Sequence, residues 1–169
     1  MRPGGGVWEA SFDMYTIESD IGKVALRFAA HLQGVEDTLG ADLAEAAGDG
    51  MAAVVHRIQQ RGLNTDGQPM LSQSARRTGA YSRLWGNYRR KRGRQTDRVD
   101  LTMEGDLMRN YQIIYRGARE VTVGFLDSGM ADIAAYLEAY FGAAFYLSVE
   151  EQAIVLKTLA NRIYQKLDS

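Results

Sequence analysis

Between Val35 and Arg61, apolar residues recur at three- and four-residue steps: Val35, Leu39, Leu43, Ala46, Ala47, Met51, Val54 and Ile58. That period puts them on one face of an α-helix, about 40 Å long at 1.5 Å per residue. A helix of this length sets the architecture, because its stripe has to be covered by other elements. Glu36, Asp37, Asp42, Glu45 and Asp49 lie in its first two-thirds, and His56, Arg57 and Arg61 lie at its end. This polarity suits the helix dipole. Gly48 and Gly50 each cost about 1 kcal/mol against alanine and predict a kink. Gly62 is placed to cap the C-terminus.

The second landmark is Val99–Phe125. Tyr111–Tyr115 and Val121–Phe125 alternate β-branched and aromatic residues on one face, and Arg116–Glu120 with Gly117 separates them. This predicts a β-hairpin. An earlier hairpin is predicted from Phe12–Glu18, the turn at Asp20-Ile21-Gly22 and the apolar Lys23–Ala29; a helix over Val24–Leu32 is the alternative. Towards the C-terminus, Ile133, Ala134, Leu137 and Phe141 predict a helix over Ala131–Phe141, ended by Gly142. Ser148 and Glu151 have capping-box spacing. The helix they open runs to about Leu167, with Val149, Ile154, Leu156, Leu159, Ile163 and Leu167 as its apolar face. The expected fold is α+β: a small antiparallel β-sheet of one or two hairpins against one long helix and two shorter C-terminal helices.

The chain has 169 residues, which fits one domain over 12–169 behind a flexible arm over 1–11. MRPGGGVWEA lacks the apolar core of a signal peptide, and Trp8 is an anchor candidate in that arm. No apolar run approaches the 18 or so residues of a transmembrane helix. With no cysteine, disulfides and thiolate chemistry are excluded, and a reducing cytoplasm is expected. His31 and His56 have no ligand partner at helical spacing, so no metal and no cofactor is expected. Asp100, Glu104 and Asp106 cluster in VDLTMEGD, but the plain reading is a solvated turn in which Thr102 or Asp100 caps a short helix. No nucleophile elbow, P-loop or dinucleotide fingerprint occurs, and an enzyme is not expected.

Net charge is -1, yet its distribution is lopsided. Leu63–Arg98 is a long, weakly periodic stretch with a turn at Asn64–Pro69. It holds Arg76, Arg77, Arg83, Arg89, Arg90, Lys91, Arg92, Arg94 and Arg98, interleaved with Tyr81, Trp85 and Tyr88. A short helix is expected over Tyr81–Tyr88. A loop this long is functional or disordered. Its cations could neutralise phosphates and its rings could stack on bases; docking on an acidic protein surface and a merely solvated loop are the alternatives. The residues expected to face a partner or DNA are Arg83, Trp85, Tyr88, Arg89, Arg90, Lys91, Arg92 and Arg94.

The order of short motifs resembles a known family. A long helix leads to Arg57-Ile58 and Arg61-Gly62, then Asp66-Gly67-Gln68-Pro69 and a polar, basic loop. Val99–Thr102, Gly105–Asn110, the hairpin with Val121–Gly124, Tyr136–Gly142 and Phe145–Ser148 follow. This is similar to the tail completion and virion morphogenesis proteins of tailed bacteriophages, over roughly residues 55–167. Asn110 replaces the family's usual serine, Met70 a common aromatic, and Ala144 the usual proline. The resemblance implies a non-enzymatic structural protein: a sixfold ring subunit of the head–tail connector or tail end, in a virion assembled in the bacterial cytoplasm. It implies copies of itself, adjacent connector and tail tube or terminator proteins, and DNA in the lumen as partners, and no membrane.

Overall fold

The computed structural model describes residues 21–168. The arm, Trp8 and the strand expected over Phe12–Glu18 lie outside these residues. Helix α1 spans Ile21–His56 and continues as a π-helical turn over Arg57–Arg61. Gly62 ends it in the left-handed region, at φ 64°, with its N–H donating to the carbonyls of Arg57 and Ile58.

The helix is longer than predicted, and it corrects the first hairpin: Lys23–Ala29 is helical. Val24, Phe28 and Leu32 continue the four-residue step of the downstream stripe, so the apolar period there is that of a helix. Nor do the glycines interrupt α1. Two of them serve close approach. A Cβ on Gly40 would stand 2.6 Å from the Gly117 carbonyl oxygen, and one on Gly50 would stand 2.5 Å from a methyl of Val155.

The 63–98 stretch is more ordered than the expected loop. Asn64 organises its first turn: the side-chain oxygen accepts from the N–H groups of Asp66 and Gln68, and Leu63 bridges Pro69. The two-residue strands β1 (Arg77–Thr78) and β2 (Tyr81–Ser82) pair antiparallel. Ser82 then caps helix α2, Arg83–Lys91, two residues later than the expected start. Helix α3 is short, Asp106–Asn110, and begins at Gly105 without a side-chain cap. The expected Asp100 or Thr102 cap is therefore not used, because Asp100 is engaged elsewhere.

The central hairpin forms as expected: β3 (Tyr111–Arg116) pairs with β4 (Val121–Phe125) antiparallel, with a bulge between Ile113 and Tyr115. Beyond the bulge the alternation breaks down, and Ile114 and Tyr115 are exposed. Tyr111, Phe125 and Phe145 pack ring against ring, with centroids 4.9–5.4 Å apart. The Tyr111 hydroxyl donates to the Phe145 carbonyl at 2.9 Å, and burial pushes its pKa up to about 12. Helix α4 spans Ser128–Phe141 behind the Asp127 cap. Val54, Ile58, Met70, Val99, Leu107 and Tyr111 lie in the shared core.

Helix α5, Val149–Leu167, opens with the expected capping box of Ser148 and Glu151 and lies along α1. The side it turns inward is mostly polar, with Val155 packed against Gly50. Arg57 Nε donates to Glu151 at 2.8 Å, Thr158 to Asp49 at 2.7 Å, and Arg162 to Asp42 at 2.9 Å; Lys166 also reaches Asp42. Of the predicted apolar face, Val149 is 82% exposed and Leu156 66%, and Ile154 is exposed as well. Leu159, Ile163 and Leu167 of that face are half-buried, so the expected covering is corrected at Val149, Ile154 and Leu156. Polar contacts thus run along the α1–α5 seam beside the packing of Val155 on Gly50, and of its ion pairs Arg57–Glu151 is the one buried on both sides. Burial raises the pKa of Asp42 and Glu151, but the hydrogen bonds and charges of Lys166 and Arg162, and of Arg57, outweigh it and hold both carboxyls below their usual range.

Candidate partner-facing surface

Helix α2 carries four cations and no acid: Arg83, Arg89, Arg90 and Lys91. At 100° per residue they cannot share one face. Arg89 points inward and is only 2% exposed. This corrects its place among the outward-facing residues. Its guanidinium lies 4.4 Å over the Tyr81 ring. It donates to both Asp100 carboxylate oxygens at 3.0 Å, to the Gln95 carbonyl at 3.0 Å and to the Thr102 carbonyl at 2.7 Å. Asp100 also accepts from the Tyr81 hydroxyl, the Gln95 amide and the Thr102 N–H. Burial raises the pKa of the Tyr81 hydroxyl and keeps it protonated as a donor. The expected carboxylate cluster is thus divided: Asp100 is a buried counter-ion, while Glu104 pairs with Arg92 and Asp106 with Arg109 at the surface.

The Arg89 network fastens the 92–105 segment to α2 and makes the helix a rigid support. Arg83, Arg90 and Lys91 are exposed on it, and Arg94 is exposed just beyond its end. The other outward face carries a ladder: the Trp85 and Tyr88 rings stack with centroids 5.0 Å apart, and Arg92 lies 4.6 Å over Tyr88. Seven of the eight expected residues therefore stand at the surface: a basic group (Arg83, Arg90) with Lys91 at its edge, an aromatic group (Trp85, Tyr88) capped by Arg92, and Arg94 beyond the helix. Stacked rings under a guanidinium can take a further planar group, and the basic face can take phosphates or carboxylates.

Beside α2 opens an apolar groove of about 670 Å³, between the 99–107 segment and α4, with Trp85, Leu101, Met103, Ile133, Tyr136 and Leu137 on its walls. Other apolar surface lies open on the helices. Past the end of α5, the α1 stripe continues uncovered: Val24 is 53% exposed, Phe28 57% and Leu32 48%. Reasoning from the sequence missed this surface. The signal was available: the α1 stripe from Val24 to Ile58 is longer than any later element able to cover it.

Among the described residues no group of three or more His, Cys, Asp or Glu is placed to hold a metal ion. No helix among them is long and apolar enough to cross a membrane. No family model, no curated protein and no solved structure matches this chain, so its likeness to tail completion proteins rests on the order of its motifs.

Proposed function

We propose that this chain is a structural virion protein of a tailed phage or prophage-like particle. It acts as a ring-forming head–tail connector or tail completion subunit that joins neck and tail around the DNA channel. Its partners are copies of itself, in a sixfold ring, and the adjacent connector and tail tube or terminator proteins, with non-specific contact to DNA in the lumen. The observation that carries this reading is the surface: a rigidly held basic helix beside extensive uncovered apolar helix faces. A ring subunit needs two different complementary surfaces, because heterologous contacts close a ring. The motifs behind the resemblance also sit where the backbone is demanding, at Gly62, Gly67, Gly105 and Gly142, all at positive φ.

The test is charge reversal on the exposed face, R83E/R90E/K91E, scored by particle assembly and DNA ejection. Loss of either with the fold intact is expected; normal particles overturn the reading. The Trp85–Tyr88–Arg92 ladder favours a second reading, a stand-alone nucleic-acid-binding module. In that case the isolated monomer binds single-stranded DNA with steep salt dependence and loses most of that affinity in W85A.

A further inference from the structure

Helix α5 faces the wrong way for a chain that works alone. Glu151, Val155, Thr158, Arg162 and Lys166 meet α1. Val149, Ala153, Leu156 and Tyr164 form a stripe on the side away from it, with Val149, Leu156 and Tyr164 all more than 60% exposed. Amphipathic helices bury their apolar stripe, so a surface of this kind calls for a partner. At the other end of the seam, Lys166 meets Thr38 at 2.6 Å. The turns of α1 before Thr38 therefore project past α5, with Val24, Phe28 and Leu32 uncovered.

We infer that these two surfaces belong to one another in different copies of the chain: the projecting N-terminal part of α1 packs along the outward stripe of α5 on the next subunit. Their lengths agree. Ile21 to Thr38 and Val149 to Leu167 each span about 25 Å at 1.5 Å per residue. Neither stripe carries a charged residue along its centre. Ala25 and Ala29 on one helix, and Ala153 and Ala160 on the other, allow close approach around Phe28 and Leu156. The contact cannot form within one chain, because α1 occupies the opposite side of its own α5. It is therefore heterologous, using each surface once per copy, and propagates into a ring or an open filament. The footprint of one helix on another, about 10–12 Å by 25 Å, is on the order of 300 Å² per partner. Stable two-body complexes bury about 800 Å² per partner. An isolated pair is accordingly weak, and closure of a ring sustains it.

This inference rests on the ring-subunit reading, and the experiment separates the two. The chain has no cysteine, so F28C and L156C each introduce a single, exposed thiol. Mixed at about 0.5 mM under mild oxidation, they are expected to give a mixed disulfide dimer at least fivefold above the self-coupled product of either alone. F28D and L156D are each expected to keep the wild-type circular dichroism spectrum and to fail to assemble, since each has lost one of the two surfaces that a ring needs. Preferential self-coupling of F28C, or wild-type assembly by L156D, overturns the inference. So does a mixed yield no higher than that of cysteines placed at the unrelated exposed sites Ala75 and Gln112. Normal particles built with F28D/L156D overturn the interface and leave the connector reading standing. Cross-linking by a chain that never enters particles does the reverse.

Discussion

Arg89 and Arg90 are neighbours of the same charge on the same helix, and the structure assigns them different work. Consider R89M, which keeps the length of the side chain and removes the guanidinium. Arg89 is almost fully buried and satisfies two backbone carbonyls, of Gln95 and Thr102, as well as Asp100. Removing one partner of a buried ion pair costs about 3–5 kcal/mol, because the other charge is left uncompensated. Here the Asp100 side chain is 14% exposed and keeps Tyr81, Gln95 and Thr102 as donors, which favours the lower end, about 3 kcal/mol. Against a typical domain stability of about 5–15 kcal/mol, that is a large fraction. R90E, on the exposed face, is expected to stay within about 0.5 kcal/mol of wild type. Urea unfolding followed by circular dichroism measures both, and equal m values make the midpoints comparable. An R89M midpoint within about 1 kcal/mol of wild type would refute the buried network and return Arg89 to the surface set.

Four other substitutions, one of them read by titration, probe the remaining elements. Gly48 has nothing within 4 Å of an added Cβ whereas Gly50 meets Val155 at 2.5 Å; G48A should raise stability by about 0.5–1 kcal/mol, and G50A should lower it through overpacking by about 1–3 kcal/mol, as read by denaturant midpoints. S148A removes half of the capping box and should cost about 1 kcal/mol, visible as earlier thermal loss of helix signal. The folded-state values of Asp42 and Glu151 lie below their ordinary 3.8 and 4.5. Their contribution is therefore complete above about pH 5 and is lost as pH falls through the depressed values. The thermal midpoint should drop steeply below pH 4, and D42N should flatten that drop; an unchanged slope in D42N would contradict the polar seam.

Much of the fold was legible because it follows from local rules. The long α1 came from its apolar period, its end from Gly62, the central hairpin from alternation around Gly117, and the start of α5 from Ser148 and Glu151. The first hairpin failed where Lys23–Ala29 offered both a strand-like composition and a helical period, and the continuous stripe decided in favour of helix. The candidate surface was legible by composition, since the 76–98 stretch is plainly basic and aromatic, but the roles of its members were not. Spacing alone separates the faces of α2. It does not say that Asp100, eleven residues beyond Arg89, supplies the buried counter-ion.

On its own, the sequence determined what depends on neighbours in the chain: helix caps, turn glycines, strand alternation, the exclusion of disulfides and the α+β balance. Tertiary structure alone decided which face of α5 is covered. For α5 the choice opposed its amphipathicity, because Asp42, Asp49 and Arg57 on α1 present fixed charges and acceptors that only the polar side of α5 can satisfy. Burying Asp42 or Arg57 unpaired would cost more than leaving Val149 and Leu156 in water. That balance is set by residues about a hundred positions apart, and no local window of the sequence contains it.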